Sequence, residues 1–136
     1  MPSWTPDWTA VPDGLAAFFA ERHLATLTTL RPDGRPHVVP VGVGIDAERG
    51  CAWVITFDGA RKARNVQASP GGPVAVCHVD GARWVTLEGT ATATTEPDEV
   101  ARAVERYAAR YRQPKERPDR VALRIDVTRV LHSARL

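Results

Sequence analysis

The sequence predicts a mainly β, α+β domain built on six antiparallel strands that close on themselves, with helices plugging the ends or gaps. Three observations predict it. Six short runs rich in β-branched and apolar residues recur along the chain. Three of their links are short turns, two of them Asp-Gly, the signature of hairpins. Only three stretches carry helical periodicity, too few for a parallel sheet built from strand–helix–strand units. Closure removes unprotected sheet edges. A chain of 136 residues suits one domain with one core.

Residues 1–12 hold three prolines with Trp4 and Trp8 and show no periodicity. They read as an irregular arm ahead of a domain over 13–136, and two tryptophans suggest that the arm packs on something, such as a partner subunit. Asp13 reads as the N-cap of a short helix ending near Arg22, with Leu15, Phe18 and Phe19 on its apolar side. Residues 24–30 and 37–45 form strands around the turn Pro32-Asp33-Gly34. In the second, Val39, Val41, Val43 and Ile45 share one face, and Val38, Pro40, Gly42 and Gly44 the other. That second face is nearly bare. Either a flat ligand lies on it or another element packs closely there, and the residues do not choose.

A third strand over 51–57 stops at Asp58-Gly59, and a helix over 60–69 follows with Arg61, Lys62 and Arg64 near its start. Free N–H groups at a helix start favour an anion, and cations there are odd for a purely structural helix. A solvated amphipathic helix reads equally well, because the G-K-[ST] ending of a P-loop is missing. Pro70-Gly71-Gly72-Pro73 breaks the chain before strands at 74–79 and 83–93, joined at Asp80-Gly81. Residues 94–97 cap the longest helix, whose Val100, Ala103, Val104, Tyr107, Ala108 and Tyr111 form a buried face. Glu99, Arg102, Glu105, Arg106 and Arg110 read as its solvated face. A charged loop over 113–119 precedes a last strand over 121–130, with Val121, Leu123, Ile125 and Val127 inward.

The chemistry is read as much from exclusions as from motifs. Net charge is +2, too slight for nucleic acid, and no apolar run is long enough to span a membrane. The N-terminus lacks the pattern of a signal peptide, so the protein is expected in the cytoplasm. Cys51 and Cys77 read as buried free thiols, and the four histidines are too scattered for a metal site. No nucleophile motif occurs, so no catalytic side chain is assigned. Trp84 reads as a core or interface aromatic, or as a wall for a planar ring. An enzyme on this chain borrows its chemistry from a cofactor. An anion clamp, a flat strand surface and aromatic walls suit a phosphorylated flavin or deazaflavin.

Four segments carry a family resemblance: ERHLATLTTLRPDGRPHVVPVG at 21–42, WVITFDGARKARNV at 53–66, HVDGARWVTLEGTA at 78–91 and RYAARYRQP at 106–114. The chain resembles the pyridoxamine-phosphate-oxidase-like flavin and deazaflavin enzymes of the split β-barrel fold. VDGARW and RYAARYR make it most similar to the branch that uses coenzyme F420, within it to the deazaflavin-dependent biliverdin reductases. The resemblance implies a homodimer with a cofactor groove at each subunit interface. It puts the phosphate clamp on Arg61 and Lys62 with Asn65 nearby, and the ring's backbone bed on Val39, Pro40, Val41, Ile55 and Thr56. It brings Trp84 from the other subunit and sets His37 where relatives can carry glutamine. The implied reaction is hydride transfer from the reduced deazaflavin to a small unsaturated acceptor, biliverdin or a similar conjugated compound. Arg35, Arg64 and Arg83 are candidates for an acceptor's carboxylates. The alternatives are an FMN-dependent oxidase or reductase of the same fold and a tetrapyrrole-binding protein without redox turnover.

Overall fold

The computed structural model describes residues 2–136. Along the chain it places β1 (Ser3–Trp4), α1 (Asp13–Ala20), β2 (Ala25–Leu30), β3 (Pro36–Val41), β4 (Gly44–Asp46) and β5 (Cys51–Phe57). Then come α2 (Arg61–Ala68), β6 (Gly72–Asp80), β7 (Arg83–Thr94), α3 (Pro97–Arg110) and β8 (Arg120–His132). All strand pairs are antiparallel, in the order β3-β2-β6-β7-β8-β5-β4, with β1 added to the end of β8. The first and last strands of that order, β3 and β4, are consecutive in the chain. The sheet therefore rolls up and its ends are joined by backbone at Gly42-Val43, not by a ladder. This is a split barrel of the expected class with eight strands, where six were expected.

One extra strand comes from the arm. Ser3 and Trp4 pair with Leu131 and Val130, and Trp4 and Trp8 pack edge to face on this chain's own core. The other comes from a break in the strand expected over 37–45. A Cβ at Gly42 would lie 2.7 Å from the Tyr107 ring, and one at Gly44 would lie 2.8 Å from the Arg106 backbone. Helix α3 crosses there, and the Tyr111 hydroxyl accepts the Val43 N–H at 3.1 Å. The bare face thus divides. Its glycine half is filled by α3, while Val38, 56% exposed, and Pro40 stay open. Asp13 is not the N-cap of α1: Pro12 takes that position, and Asp13 is the acid of the first turn, where the helix dipole favours it.

The interior is lined by Leu27, Val54, Val76, Leu87, Leu123 and Ile125, covered at one end by Leu15 and Phe18 of α1 and penetrated by Ala63 and Val66 of α2. Burying each large side chain is worth about 1.5–3 kcal/mol. A smaller cluster of Cys51, Trp53, Ala103 and Ala122 forms the bed of α3, with Ile55 and Val100 at its margin. Burial pushes the Cys51 thiol up to about 11, whereas Cys77 is only half-buried, because its strand position faces outward.

The three arginines of the α3 face expected in water reach down onto the sheet, while Glu105 stays exposed. Arg102 bonds the buried Asp46, and Arg106 Nε donates to the Ile45 carbonyl at 2.9 Å. Arg110 is buried, and its guanidinium donates to the Glu21 and Val43 carbonyls at 2.9 Å each and meets His78 Nε2 at 3.1 Å. His78 Nδ1 lies 3.3 Å from the Val85 carbonyl, so Nδ1 carries the proton and Nε2 accepts from Arg110. Burial and the Arg110 charge bring the His78 ring down to about 3. A histidine depressed below its unfolded value of about 6.5 contributes fully above that pH and loses its contribution as pH falls toward 3. Unfolding by urea is expected to become easier between about pH 6.5 and pH 4, and His78→Gln to flatten that slope. An unchanged slope in the variant would assign the acid sensitivity elsewhere.

Candidate cofactor site

The site begins at the seam of the barrel. β3 pairs with β2 along its whole length, from Pro36 to Val41, and among the described residues its other edge has no strand partner. β5 pairs with β8 from Ala52 to Phe57 but with β4 only from Cys51 to Trp53. The second edge of residues 54–57 is therefore open as well. Both open edges diverge from the Gly42-Val43 link. Val39, Pro40 and Val41 stand on one, and Ile55 and Thr56 on the other. Unpaired backbone N–H and C=O groups on two facing edges can meet the polar rim of a flat ring.

Helix α2 starts three residues past β5, after the Asp58-Gly59 turn, where Gly59 has φ +93°. Its N-cap, Ala60, makes no side-chain capping bond, and its first turn holds no acid. Those N–H groups lack the usual local acceptors. Arg61 is exposed and Lys62 half-buried. Among the described residues neither forms an ion pair. Burial lowers the Lys62 pKa. Arg64 points away from this pair, with Asp58 at 3.5 Å and Gln67 at 3.5 Å.

Among the described residues, three buried side-chain polar atoms have no hydrogen-bond partner: His37 Nδ1, Thr56 Oγ1 and Asn65 Oδ1. All three belong to residues expected at the cofactor. Two of them, Asn65 and His37, are linked to each other and to the clamp. Asn65 lies one turn beyond Lys62, and its Nδ2 donates to Thr29 Oγ1 at 3.0 Å. Thr29 is the cross-strand partner of His37. Burial, and then the charges of Arg31, Lys62 and Arg61, lower the His37 pKa. Each orphaned buried polar group costs about 1–3 kcal/mol, so their clustering is informative. Free cations, capless helix N–H groups, open strand edges and unpartnered acceptors fit a phosphorylated planar cofactor. Thr29 and Arg31 were not singled out from the sequence. Thr29 had left a signal: it is a polar residue on the inward stripe Ala25, Leu27, Thr29.

A model of the family described as pyridoxamine 5'-phosphate oxidase matches residues 11–134. The chain belongs to this family. Over 128 residues it is 48% identical to an F420H(2)-dependent biliverdin reductase of Mycobacterium tuberculosis (strain CDC 1551 / Oshkosh), covering 94% of this chain and 92% of that protein. Among solved structures it is similar to an F420 reductase, at 25% identity and a TM-score of 0.69 over 89% of this chain and 98% of the other. It is also similar to a conserved hypothetical protein of Mycobacterium tuberculosis, at 26% identity and a TM-score of 0.73 over 91% and 85% of the two chains.

Trp84, expected from the other subunit, and the three cations considered for the acceptor complete the expected site residues of this pyridoxamine 5'-phosphate oxidase family member. Trp84 pairs with Val79 near the tip of the β6–β7 hairpin, whereas Gly89 is the β7 residue paired with Val74, beyond the Ala75 that faces Thr28. Five residues of strand separate Trp84 from Gly89, roughly 17 Å, so Trp84 is not at the clamp of its own chain. Arg83 is not free for an acceptor. It bonds Glu21 at 3.0 Å and also Asp80, filling the space where Glu21, His23 and Asp80 converge. Arg35 is held by Asp33 at 2.8 Å and Arg64 by Asp58. All three cations considered for the acceptor therefore have carboxylates already.

Proposed function

We propose that this protein is a coenzyme F420H2-dependent oxidoreductase that reduces biliverdin or a similar conjugated tetrapyrrole. The observation that carries the reading is the coincidence of the orphaned polar atoms of His37, Thr56 and Asn65 with the unpaired Arg61 and Lys62. It occurs in a chain 48% identical to a protein of that activity. Lys62 and Arg61 hold the cofactor's phosphate, with the free N–H groups of α2 behind it. His37, Thr56 and Asn65 give their unpartnered atoms to polar groups of the cofactor. The edges at Val39, Pro40, Val41, Ile55 and Thr56 flank its ring. When bound, the reduced deazaflavin supplies the two-electron reductant. The chain supplies position and a cationic surrounding for an anionic acceptor.

The protein works as a cytoplasmic homodimer. The outward face of β3-β2-β6 and the start of β7 is uncharged: Thr26, Thr28, Val38, Pro40, Ala75, Cys77, Val79 and Trp84 share it by register, with the Glu88 and Arg129 pair as its charged margin on β7 and β8. Val38 and Val79 are 56% and 64% exposed. Such a face suits a second copy of the chain, which brings its own Trp84 toward the seam. No helix of the described residues is long and apolar enough to cross a membrane.

The test is a parallel titration with F420 and FMN, followed by anaerobic mixing of the F420H2 complex with biliverdin. F420 is expected to bind more tightly, and biliverdin absorbance to fall as the deazaflavin is oxidised. Purification with bound FMN would favour the flavin enzyme. Biliverdin binding without oxidation of the deazaflavin would leave a carrier. Sedimentation as a lone 14.8 kDa species would remove the dimer.

A further inference from the structure

One sizeable cavity plays no part in the clamp. It is an open groove of about 620 Å³ between α3 and residues 113–120, within the range of about 300–1,000 Å³ typical of small-molecule sites. Its floor is apolar, made by Val100, Ala101 and Val104 of α3 and by Pro114 of the loop. Its rim holds Lys115, Arg117 and Arg120 against one carboxylate, Glu116. Asp119 takes Arg117 in a two-bond pair at 2.9 and 3.0 Å. Lys115 and Arg120 have no carboxylate within ion-pair distance among the described residues, and Arg120 is fixed by donating to the Lys115 carbonyl at 2.6 Å.

The groove adjoins the cofactor seam through the end of β5. Arg120 is the cross-strand partner of Phe57, the Asp58 N–H donates to the Asp119 carbonyl at 2.8 Å, and the Arg117 guanidinium lies 4.2 Å from the centre of the Phe57 ring. Ile55, on the open edge of the seam, packs at the margin of the same cluster as Val100. One wall of the groove is thus tied to the residues that flank the ring bed. Two other cavities are poorer candidates. That over Thr28, Leu30 and Ala75 lies on the face assigned to the second copy, and that under Trp8 is near 230 Å³ with only Arg106 charged.

We infer that the groove between α3 and residues 113–120 is the binding site of the acceptor, an extended apolar molecule with carboxylates, which lies on Val100, Ala101 and Val104 and is held through Lys115 and Arg120. The inference rests on the proposed reductase reading. A linear tetrapyrrole has this chemistry: a conjugated apolar body with two propionates. Arg35, Arg64 and Arg83 already have carboxylate partners, whereas Lys115 and Arg120 stand at the rim of an apolar groove without one and can meet those propionates.

The experiment measures two things separately, biliverdin binding to the cofactor-free protein by absorbance and F420 binding by fluorescence. Lys115→Ala/Arg120→Ala is expected to weaken biliverdin binding at least tenfold and F420 binding less than twofold. Ala101→Trp, at an exposed helix position that tolerates size, should block the groove and abolish biliverdin binding with the thermal midpoint preserved. Biliverdin dimethyl ester should bind wild type as weakly as biliverdin binds the double variant. Normal biliverdin binding in both variants, or none in wild type, overturns the site. Binding that depends on the groove without turnover by F420H2 keeps the site and overturns the reductase reading instead.

Discussion

Asp46→Ala is expected to lower the unfolding free energy by about 3–5 kcal/mol, the cost of breaking a buried ion pair from one side. The Asp46 side chain is fully buried. Its Oδ2 accepts the Trp53 indole N–H at 2.9 Å and Arg102 Nε at 2.8 Å, and its Oδ1 accepts Arg102 Nη2 at 2.7 Å and the Arg49 N–H at 3.1 Å. One carboxylate therefore joins the β4–β5 turn, the largest buried aromatic and α3. Truncation strands the indole N–H, and Arg102 keeps only the exposed Glu48 and Glu105 at 3.2 and 3.3 Å. Burial alone would push the Asp46 carboxyl up, but the bonds from Arg102, Trp53 and the Arg49 N–H outweigh it and hold the group well below the ordinary range. A carboxyl depressed in the folded state contributes fully above its unfolded value of about 3.9 and loses that contribution as pH falls further. Urea unfolding at neutral pH should show the loss, and Asp46→Asn, which keeps an acceptor for Trp53, should lose less. Less than about 1 kcal/mol for the alanine variant would mean that the Arg102–Asp46 pair does not hold α3 to the sheet.

The pattern of strands and turns was legible because its determinants are local. Gly34, Gly59 and Gly81 all have positive φ, and each stands where an Asp-Gly dipeptide marked a turn. The inward stripes of β2 and β8 follow the alternation of their residues. What stayed illegible depends on partners distant in sequence. Periodicity puts Arg102, Arg106 and Arg110 on one side of α3, but not whether that side meets water or strand carbonyls. The side chains are long enough to reach down past the helix edge, and β4 and the link before it expose the Ile45 and Val43 carbonyls to them. Gly42 and Gly44 were ambiguous for the same reason, since a missing side chain fits a ligand and a crossing helix equally well. The clamp was half visible. Three cations near a helix start marked it, but only the fold separates Arg64, beside Asp58, from Lys62, which burial and the lack of a carboxylate single out.

Lys62→Ala is expected to weaken cofactor binding by about 1.5–3 kcal/mol, the range for a charge-assisted hydrogen bond, or roughly ten- to a hundredfold in Kd. Two physical points make Lys62 the stronger half of the clamp. It is half-buried where Arg61 is exposed, so its attraction to a phosphate is less screened by water. Its ammonium has also given up hydration without a protein carboxylate in return, as its lowered pKa records. An anion that neutralises it recovers that cost. Removing the lysine should therefore leave the apo protein no less stable, and slightly more so, while the holo protein loses affinity. That opposite sign separates a ligand-binding lysine from a structural one. Arg61→Ala, at an exposed position, should cost less and respond more strongly to salt. Fluorescence titration of F420 into the three proteins, beside their thermal midpoints without cofactor, checks the whole pattern. A Lys62→Ala protein that binds F420 as wild type does would move the phosphate away from α2, and with it the ring from the open edges of β3 and β5.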